Sequence, residues 1–213
     1  MNTTLAHHQK DLENVFTWIE FIYEQGNSLM EAAKRRLADN IMVKPLPSGT
    51  CYTSSRSVSY RYVWLDVDWY ISESDSPTER AMFLALSYSS DERVGCYFVL
   101  GICDLDPEGS GLIEKPSQIG HWLVDYAVSP SSNLNKLSTI ERPDGLLELL
   151  PNDTLQPEFR KGLRRIVLAP FPVAWIDKEE KLVSIIHAFV SCFRDDKDEK
   201  LGRLCQEATE AVR

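Results

Sequence analysis

The sequence contains none of the short motifs that usually identify an enzyme active site or a metal centre. It has no glycine-rich nucleotide-binding fingerprint, no Cys-x-x-Cys pair and no nucleophile motif. Its five cysteines are scattered and odd in number, which predicts neither a disulfide framework nor a zinc site. We therefore expect reduced and mostly buried thiols.

Basic charge is scarce relative to acidic charge. The chain has 23 Lys and Arg residues against 32 Asp and Glu residues, so its formal net charge is -9. A charge of this sign repels a phosphate backbone, and nucleic acid is therefore not an expected partner. The densest basic stretch contains Arg160, Lys161, Arg164 and Arg165. We interpret it as a solvated approach to a strand rather than a phosphate site.

Long apolar runs are also missing. No stretch approaches the roughly 18 apolar residues of a membrane-spanning helix, and the N-terminal residues do not follow the pattern of a secretory leader. These observations predict a cytoplasmic protein with no membrane segment. With 213 residues and a hydrophobic share of 43%, the chain can bury a substantial core, and we expect one domain over 1–213.

Residues 1–44 are predicted to form a helical pair. Gly26 and Asn27 predict the end of a first helix over 9–24, and Ser28 begins a second helix that runs to about Asp39. The first helix is indicated by six apolar residues at spacings of three and four: Leu12, Val15, Phe16, Ile19, Ile22 and Tyr23.

Residues 50–105 change to the period-two pattern of strands. Three strands are predicted, over 56–72, 80–89 and 93–105. The short polar turn between the second and third predicts an antiparallel hairpin. The irregular segment 106–160 follows, with helical pieces predicted at 117–128 and 145–150.

Residues 161–213 are predicted to be one strand and then C-terminal helices. The strand covers 163–176, where Pro170 and Pro172 predict either an edge position or an end near Ala169. A long helix with a wide apolar stripe begins after Asp177 and is expected to pack on the sheet. The predicted fold is therefore α+β, with an N-terminal helical pair, a mainly antiparallel sheet of four or five strands, and C-terminal helices packed on it.

One stretch, VSYRYVWLDVDWYIS at 58–72, combines aromatic and acidic residues in a strand pattern. Because side chains alternate along a strand, one face is aliphatic and is expected to be the core: Val63, Leu65, Val67, Trp69 and Ile71. The other face is the candidate binding site, and we call it the aromatic–acidic surface: Tyr60, Tyr62, Trp64, Asp66, Asp68 and Tyr70.

Three interpretations of the aromatic–acidic surface stay open. It is the solvated side of an amphipathic strand, a recognition surface for another protein, or part of a Mg²⁺ or Mn²⁺ site. A metal site would use Asp66, Asp68, Asp104 and Asp106, provided that their two strands are neighbours. The favoured hypothesis is a non-enzymatic cytoplasmic binding or adaptor module without a cofactor. It would contact another protein or a second copy of itself. The alternative is a divalent-metal-dependent hydrolase or nuclease.

Overall fold

The fold is known from a computed structural model that describes residues 2–41, 43–45, 51–53, 63–72, 80–89, 95–105, 137–152 and 162–212. Three helices and eight strands lie in these ranges. The helices are α1 (Asn2–Asn40), α2 (Glu179–Asp195) and α3 (Glu199–Val212). The strands are β1 (Val43–Pro45), β2 (Cys51–Thr53), β3 (Val63–Ser72), β4 (Arg80–Ser89), β5 (Gly95–Leu105), β6 (Leu137–Glu141), β7 (Leu147–Pro151) and β8 (Leu163–Pro172).

The strands form one antiparallel sheet in the order β1-β3-β4-β5-β8-β7-β6, and β2 also pairs with β3. Four long strands, β3, β4, β5 and β8, make its centre, which agrees with the four or five strands predicted. The four additional strands have only three to five residues each. The α+β class, with an antiparallel sheet and helices at the N-terminal and C-terminal sides, is confirmed.

The β4–β5 hairpin was predicted correctly and lies at the centre of the sheet. Its ladder runs from Arg80 opposite Asp104 to Ser89 opposite Gly95. Both faces of β4 are buried, because Phe83 and Leu84, which follow each other and project to opposite faces, are each fully inaccessible. A strand buried on both faces reads as a continuous apolar run, which explains the segment AMFLAL in β4.

Helices α1, α2 and α3 cover one face of the sheet. The apolar stripe of α2 is buried as predicted, and Ile185, Ile186 and Phe189 belong to one core cluster with Leu84 and Leu100 of the sheet. Burying side chains of this size contributes about 1.5–3 kcal/mol each. The cluster therefore fixes the C-terminal helices to the sheet.

The predicted break between two N-terminal helices is wrong, because α1 is continuous through Gly26 and Asn27. Gly26 is buried, and the helix continues to Met30, Ala33 and Leu37 of the core cluster. A glycine inside a helix costs about 1 kcal/mol relative to alanine, and burial of the following turns more than offsets this cost.

Two predictions in the second half of the chain are also corrected. Residues 145–150 are not helical, since Leu147–Pro151 is strand β7, with Leu147 and Leu149 buried at period two. Strand β8 is not an edge strand and does not end near Ala169, because it lies between β5 and β7 and continues to Pro172. Pairing with β7 ends at Leu168, however. The two prolines therefore occupy a part of β8 with a described partner on one side only, where a missing amide is tolerated.

Other expectations fall beyond the residues that the structure describes. These include the helical piece at 117–128 and most of the irregular segment 106–160. Within the described helices, none combines the length and the apolar character that crossing a membrane requires.

Candidate functional site

The aromatic–acidic surface is only partly within the described residues. Trp64, Asp66, Asp68 and Tyr70 lie on β3, and their backbone positions are described. Tyr60 and Tyr62 lie outside the described residues. Strand β3 is therefore confirmed over 63–72, and the remainder of the predicted range, 56–62, lies outside the described residues. The register of the sheet gives the positions of the candidate residues on β3.

Register places the two acidic positions of β3 beside core residues of β4. Asp66 is opposite Leu86 and Asp68 is opposite Leu84, and both leucines belong to the cluster that the helices cover. The row that contains Asp66 continues from Leu86 to Phe98 on β5 and Phe171 on β8. Asp66 and Asp68 are thus the β3 members of two cross-strand rows. The members of these rows on β4, β5 and β8 are buried and apolar.

The outer side of β3 is paired in two separate places. Strand β1 pairs with Tyr70–Ser72, and strand β2 pairs with Val63–Leu65. No described strand pairs with the outer side of the intervening positions 66–69. The connecting residues 46–50 lie outside the described set. The register with β3 differs by one residue between β1 and β2, because five residues separate Pro45 from Cys51 in the sequence and four separate Leu65 from Tyr70.

The metal interpretation required the strands that carry the four carboxylates to be neighbours. They are not, because β4 lies between β3 and β5. Asp104 uses both carboxylate oxygens to accept hydrogen bonds from arginines, and Asp106 lies beyond the described residues. In the described part of the chain, no group of three or more His, Cys, Asp or Glu side chains is placed to hold a metal ion.

A charged network that sequence reasoning did not predict lies at one end of the sheet. Arg80 of β4, Asp104 of β5 and Arg165 of β8 are direct neighbours in one row. The Nε atoms of Arg80 and Arg165 donate to Asp104 at 2.7 and 2.8 Å. Their Nη2 atoms both donate to Oδ1 of Asp196 at 2.9 Å. Two arginines and two aspartates therefore form one ion-pair group, and Glu148 of β7 lies 4.0 Å from Arg165 at its margin. The group includes Arg165 of the basic stretch that was considered as a phosphate site.

This network also caps the C-terminal end of α2. Asp196 adopts a left-handed conformation, with φ of 56°, and its backbone N–H donates to the carbonyl of Cys192 at 3.0 Å. Arg80 Nη1 donates to the carbonyl of Phe193 at 2.9 Å. A cation at a helix C-terminus is stabilised by the partial negative charge of the last carbonyls. The network thus joins the end of α2 to three strands.

Burial and pairing act in opposite directions on the pKa values of this group. Burial lowers the pKa of Arg80 and Arg165, but Asp104 and Asp196 raise both pKa values overall. Partial burial raises the pKa of Asp196, and hydrogen bonds from the two arginines lower it overall. Arg80, Arg165 and Asp196 are therefore held in their charged forms, which is the behaviour of a structural ion-pair network.

A second ion-pair group joins the β6–β7 turn to the start of α3. Arg142 donates to Asp144 at 2.7 Å and also to Asp198. Hydrogen bonding to Asp198 is the main cause of the raised pKa of Arg142. Gly202 of α3 faces this group so closely that a Cβ there would lie 2.3 Å from Oδ2 of Asp144. These contacts fix the position of the turn against α3.

The buried thiols do not resemble nucleophiles. Burial raises the pKa of Cys192 to about 12, and burial also raises the pKa of Cys103. A reactive cysteine instead has a lowered pKa and some exposure. The expectation of buried thiols agrees with Cys103, Cys192 and Cys205, which are all buried.

Comparison with known proteins finds no matching family model, no matching curated protein and no matching solved structure. The fold class therefore rests on the described elements themselves, and the function rests on the chemistry of the described surfaces.

One signal in the sequence does point to the charged network. If the predicted hairpin is counted outward from its turn, with Ser89 opposite Gly95, Arg80 falls opposite Asp104. The participation of Arg165 and Asp196 has no comparable local signal. It depends on strand order and on the place where α2 ends.

Proposed function

We propose that this protein is a non-enzymatic cytoplasmic adaptor that binds another protein through the aromatic–acidic surface of β3. The partner is a different protein or a second copy of the same chain. Tyr and Trp are enriched in the cores of protein interfaces, and carboxylates steer the approach of a positively charged partner. The proposed partner therefore presents a basic segment.

The observation that carries the proposal is the location of these residues on β3, which lies at one end of the row of four long strands in the sheet. Trp64, Asp66, Asp68 and Tyr70 occupy alternate positions of β3, so they belong to one face of the strand. Alternate side chains of a strand near a sheet edge can give specificity to a bound partner segment.

Site-specific photo-crosslinking tests this proposal. One variant carries a photo-reactive amino acid in place of Trp64, and a matched control carries it in place of Ile140, which is 46% exposed on β6 at the far end of the strand order. We expect covalent adducts with a distinct protein, or with a second copy, from position 64 only. Equal adducts from both positions, or none from position 64, would contradict the proposal.

A titration with Mn²⁺ separates the binding module from the metal-dependent alternative. We expect no binding of Mn²⁺ that depends on the β3 carboxylates. Binding by the wild type that disappears in Asp66→Asn/Asp68→Asn would support the hydrolase alternative and contradict an adaptor that uses these residues only for steering.

A further inference from the structure

A groove between α1 and the beginning of α2 is lined by one continuous face of α1. The α1 wall is formed by Gln25, Ser28, Leu29, Ala32, Arg35 and Arg36, at the spacings of three and four that define one side of a helix. The facing wall is Val173, Ile176, Asp177, Lys178, Glu179 and Leu182. The groove has a volume of about 550 Å³ and is open to solvent along its length.

The floor of the groove is apolar and rests on the core. Leu29, Ala32, Val173 and Ile176 are partly buried and pack against the core cluster, so each still presents some surface to the groove. The groove continues past Arg36 into a second cavity of about 330 Å³ that shares Ala32 and Arg35. It therefore offers an apolar strip along a helix rather than a single closed pocket.

The facing wall of the groove is held rigidly in place. Trp175 stacks on Phe171 with ring centroids 6.0 Å apart, and Lys181 lies over the Trp175 ring at 4.6 Å. Lys181 also donates to the carbonyl of Trp175 and to Asp177, each at 2.8 Å. A ligand that enters the groove thus meets a wall whose residues are already ordered, which lowers the entropic cost of binding.

The charges at the rim favour an acidic ligand. Three carboxylates line the groove and its continuation, and all three are already paired: Asp177 with Lys181, and both Glu179 and Asp39 with Arg36. Arg35 and Lys178 are exposed, and no ion pair within the described residues engages either of them. The uncompensated charge at the rim is therefore positive, although the whole chain has a net charge of -9.

We propose that this groove binds a short segment of a partner protein in which a large apolar side chain is flanked by aspartate or glutamate. The apolar side chain occupies the floor at Leu29 and Ala32, and the carboxylates pair with Arg35 and Lys178. The α1 wall spans twelve residues from Gln25 to Arg36, or roughly 16 Å at the rise of an α-helix, which accommodates about five residues of an extended peptide. This surface is separate from β3, so the inference does not depend on the contact proposed there.

Selection of short random peptides displayed on phage, against the intact protein, provides the probe. We expect the recovered peptides to combine acidic residues with at least one large apolar residue. A synthetic copy of the most frequent peptide is then measured by fluorescence anisotropy. Ala32→Trp, which fills the floor, is expected to weaken its binding at least tenfold, and Arg35→Glu and Lys178→Glu are expected to weaken it roughly fivefold each.

Matched controls make the same charge changes away from the groove. Arg203→Glu and Lys200→Glu alter exposed residues of α3 that do not line the groove, and we expect them to leave binding unchanged. Added salt should also weaken binding by the wild type more than binding by Arg35→Glu/Lys178→Glu. Salt screens the attraction of Arg35 and Lys178 for the acidic peptide, and the double variant lacks this attraction. All variants should retain the wild-type thermal transition.

Four results would overturn the inference. They are recovery of no binding peptide, recovery of peptides without acidic residues, rim variants that bind as well as their α3 controls, and concentration-dependent self-association of the free protein that Ala32→Trp abolishes. The last result would assign the groove to a second copy of the chain instead. None of these results concerns Trp64, so the adaptor proposal stands or fails separately.

Discussion

Arg80 and Asp104 are direct partners across the β4–β5 ladder, and their side chains are joined by a hydrogen bond of 2.7 Å from Nε to Oδ1. Only 25% of the Arg80 side chain and 17% of the Asp104 side chain are exposed. Asp104 also accepts from Arg165, so it bonds to both arginines of the network and shares their compensation with the more exposed Asp196. Removal of the Asp104 charge therefore leaves two partly buried arginines with less compensating negative charge, which destabilises the folded state.

Asp104→Asn should therefore destabilise the protein by about 2 kcal/mol, since hydrogen bonds to charged groups are worth more than neutral ones. Urea denaturation measures this change. The control is Asp39→Asn, whose exposed carboxylate lies 3.9 Å from Arg36 and should contribute less than about 0.5 kcal/mol. Equal effects of the two substitutions would mean that the network has no special role in stability.

The lowered pKa of Asp196 predicts a defined pH dependence. A carboxyl group whose pKa is lower in the folded state stabilises the protein above its unfolded pKa, near 3.8, and loses this contribution as the pH falls through the folded value. Asp196→Asn should therefore be less stable than the wild type at neutral pH, and the difference should shrink below pH 3.8. Asparagine tolerates the left-handed conformation at this position, so the backbone is preserved. Urea midpoints over a series of pH values test this, and a constant difference would contradict it.

Gly101 lies opposite Phe83 in the β4–β5 ladder, and a Cβ at Gly101 would lie 2.0 Å from Cε1 of that ring. Phe83 is fully buried in the sheet. Gly101→Ala should cost about 2 kcal/mol or more, as overpacking of a core does. Phe83→Leu should cost less in the Gly101→Ala background than in the wild type, because the smaller side chain relieves the overlap. Additive effects in chemical denaturation would show that the two positions do not interact.

Two neighbouring residues of α2 test the packing of the helix on the sheet. Ile186 is fully buried in the core cluster, whereas His187 is exposed. Ile186→Asp places an unpaired charge in this cluster and should cost about 4 kcal/mol or more, enough to unfold a protein of ordinary stability. His187→Asp should leave thermal melting nearly unchanged. Similar melting of both variants would contradict the observed orientation of α2.

Much of the fold could be predicted because local patterns and tertiary structure agree. The hairpin combines β-forming residues with a short turn, and the stripe of α2 fits one side of a helix. Gly26 was misread because a local stop signal is weaker than the burial of Met30 and Leu37 beyond it. The leucines at 147 and 149 were misread because a short apolar run does not distinguish a helix from a strand.

The candidate site could be predicted only in part. Alternation within β3 follows from the sequence, but the separation of Asp104 from β3 depends on strand order, which local patterns do not contain. The positive charge at the rim of the groove also depends on tertiary packing that local patterns do not contain. Arg35 belongs to α1 and Lys178 precedes α2, and only the packing of the two helices brings these cations to one groove.

The most direct test of the adaptor proposal is the affinity of Trp64→Ala for the partner identified by crosslinking. We expect the free energy of binding to weaken by about 2 kcal/mol, roughly thirtyfold in Kd, because aromatic anchors dominate interface energetics. Asp66→Lys/Asp68→Lys should instead mainly slow association and change its salt dependence. The matched control, Phe21→Ala, removes an aromatic side chain that is 52% exposed on α1 and should leave affinity unchanged. Wild-type affinity in a folded Trp64→Ala variant would contradict the proposal.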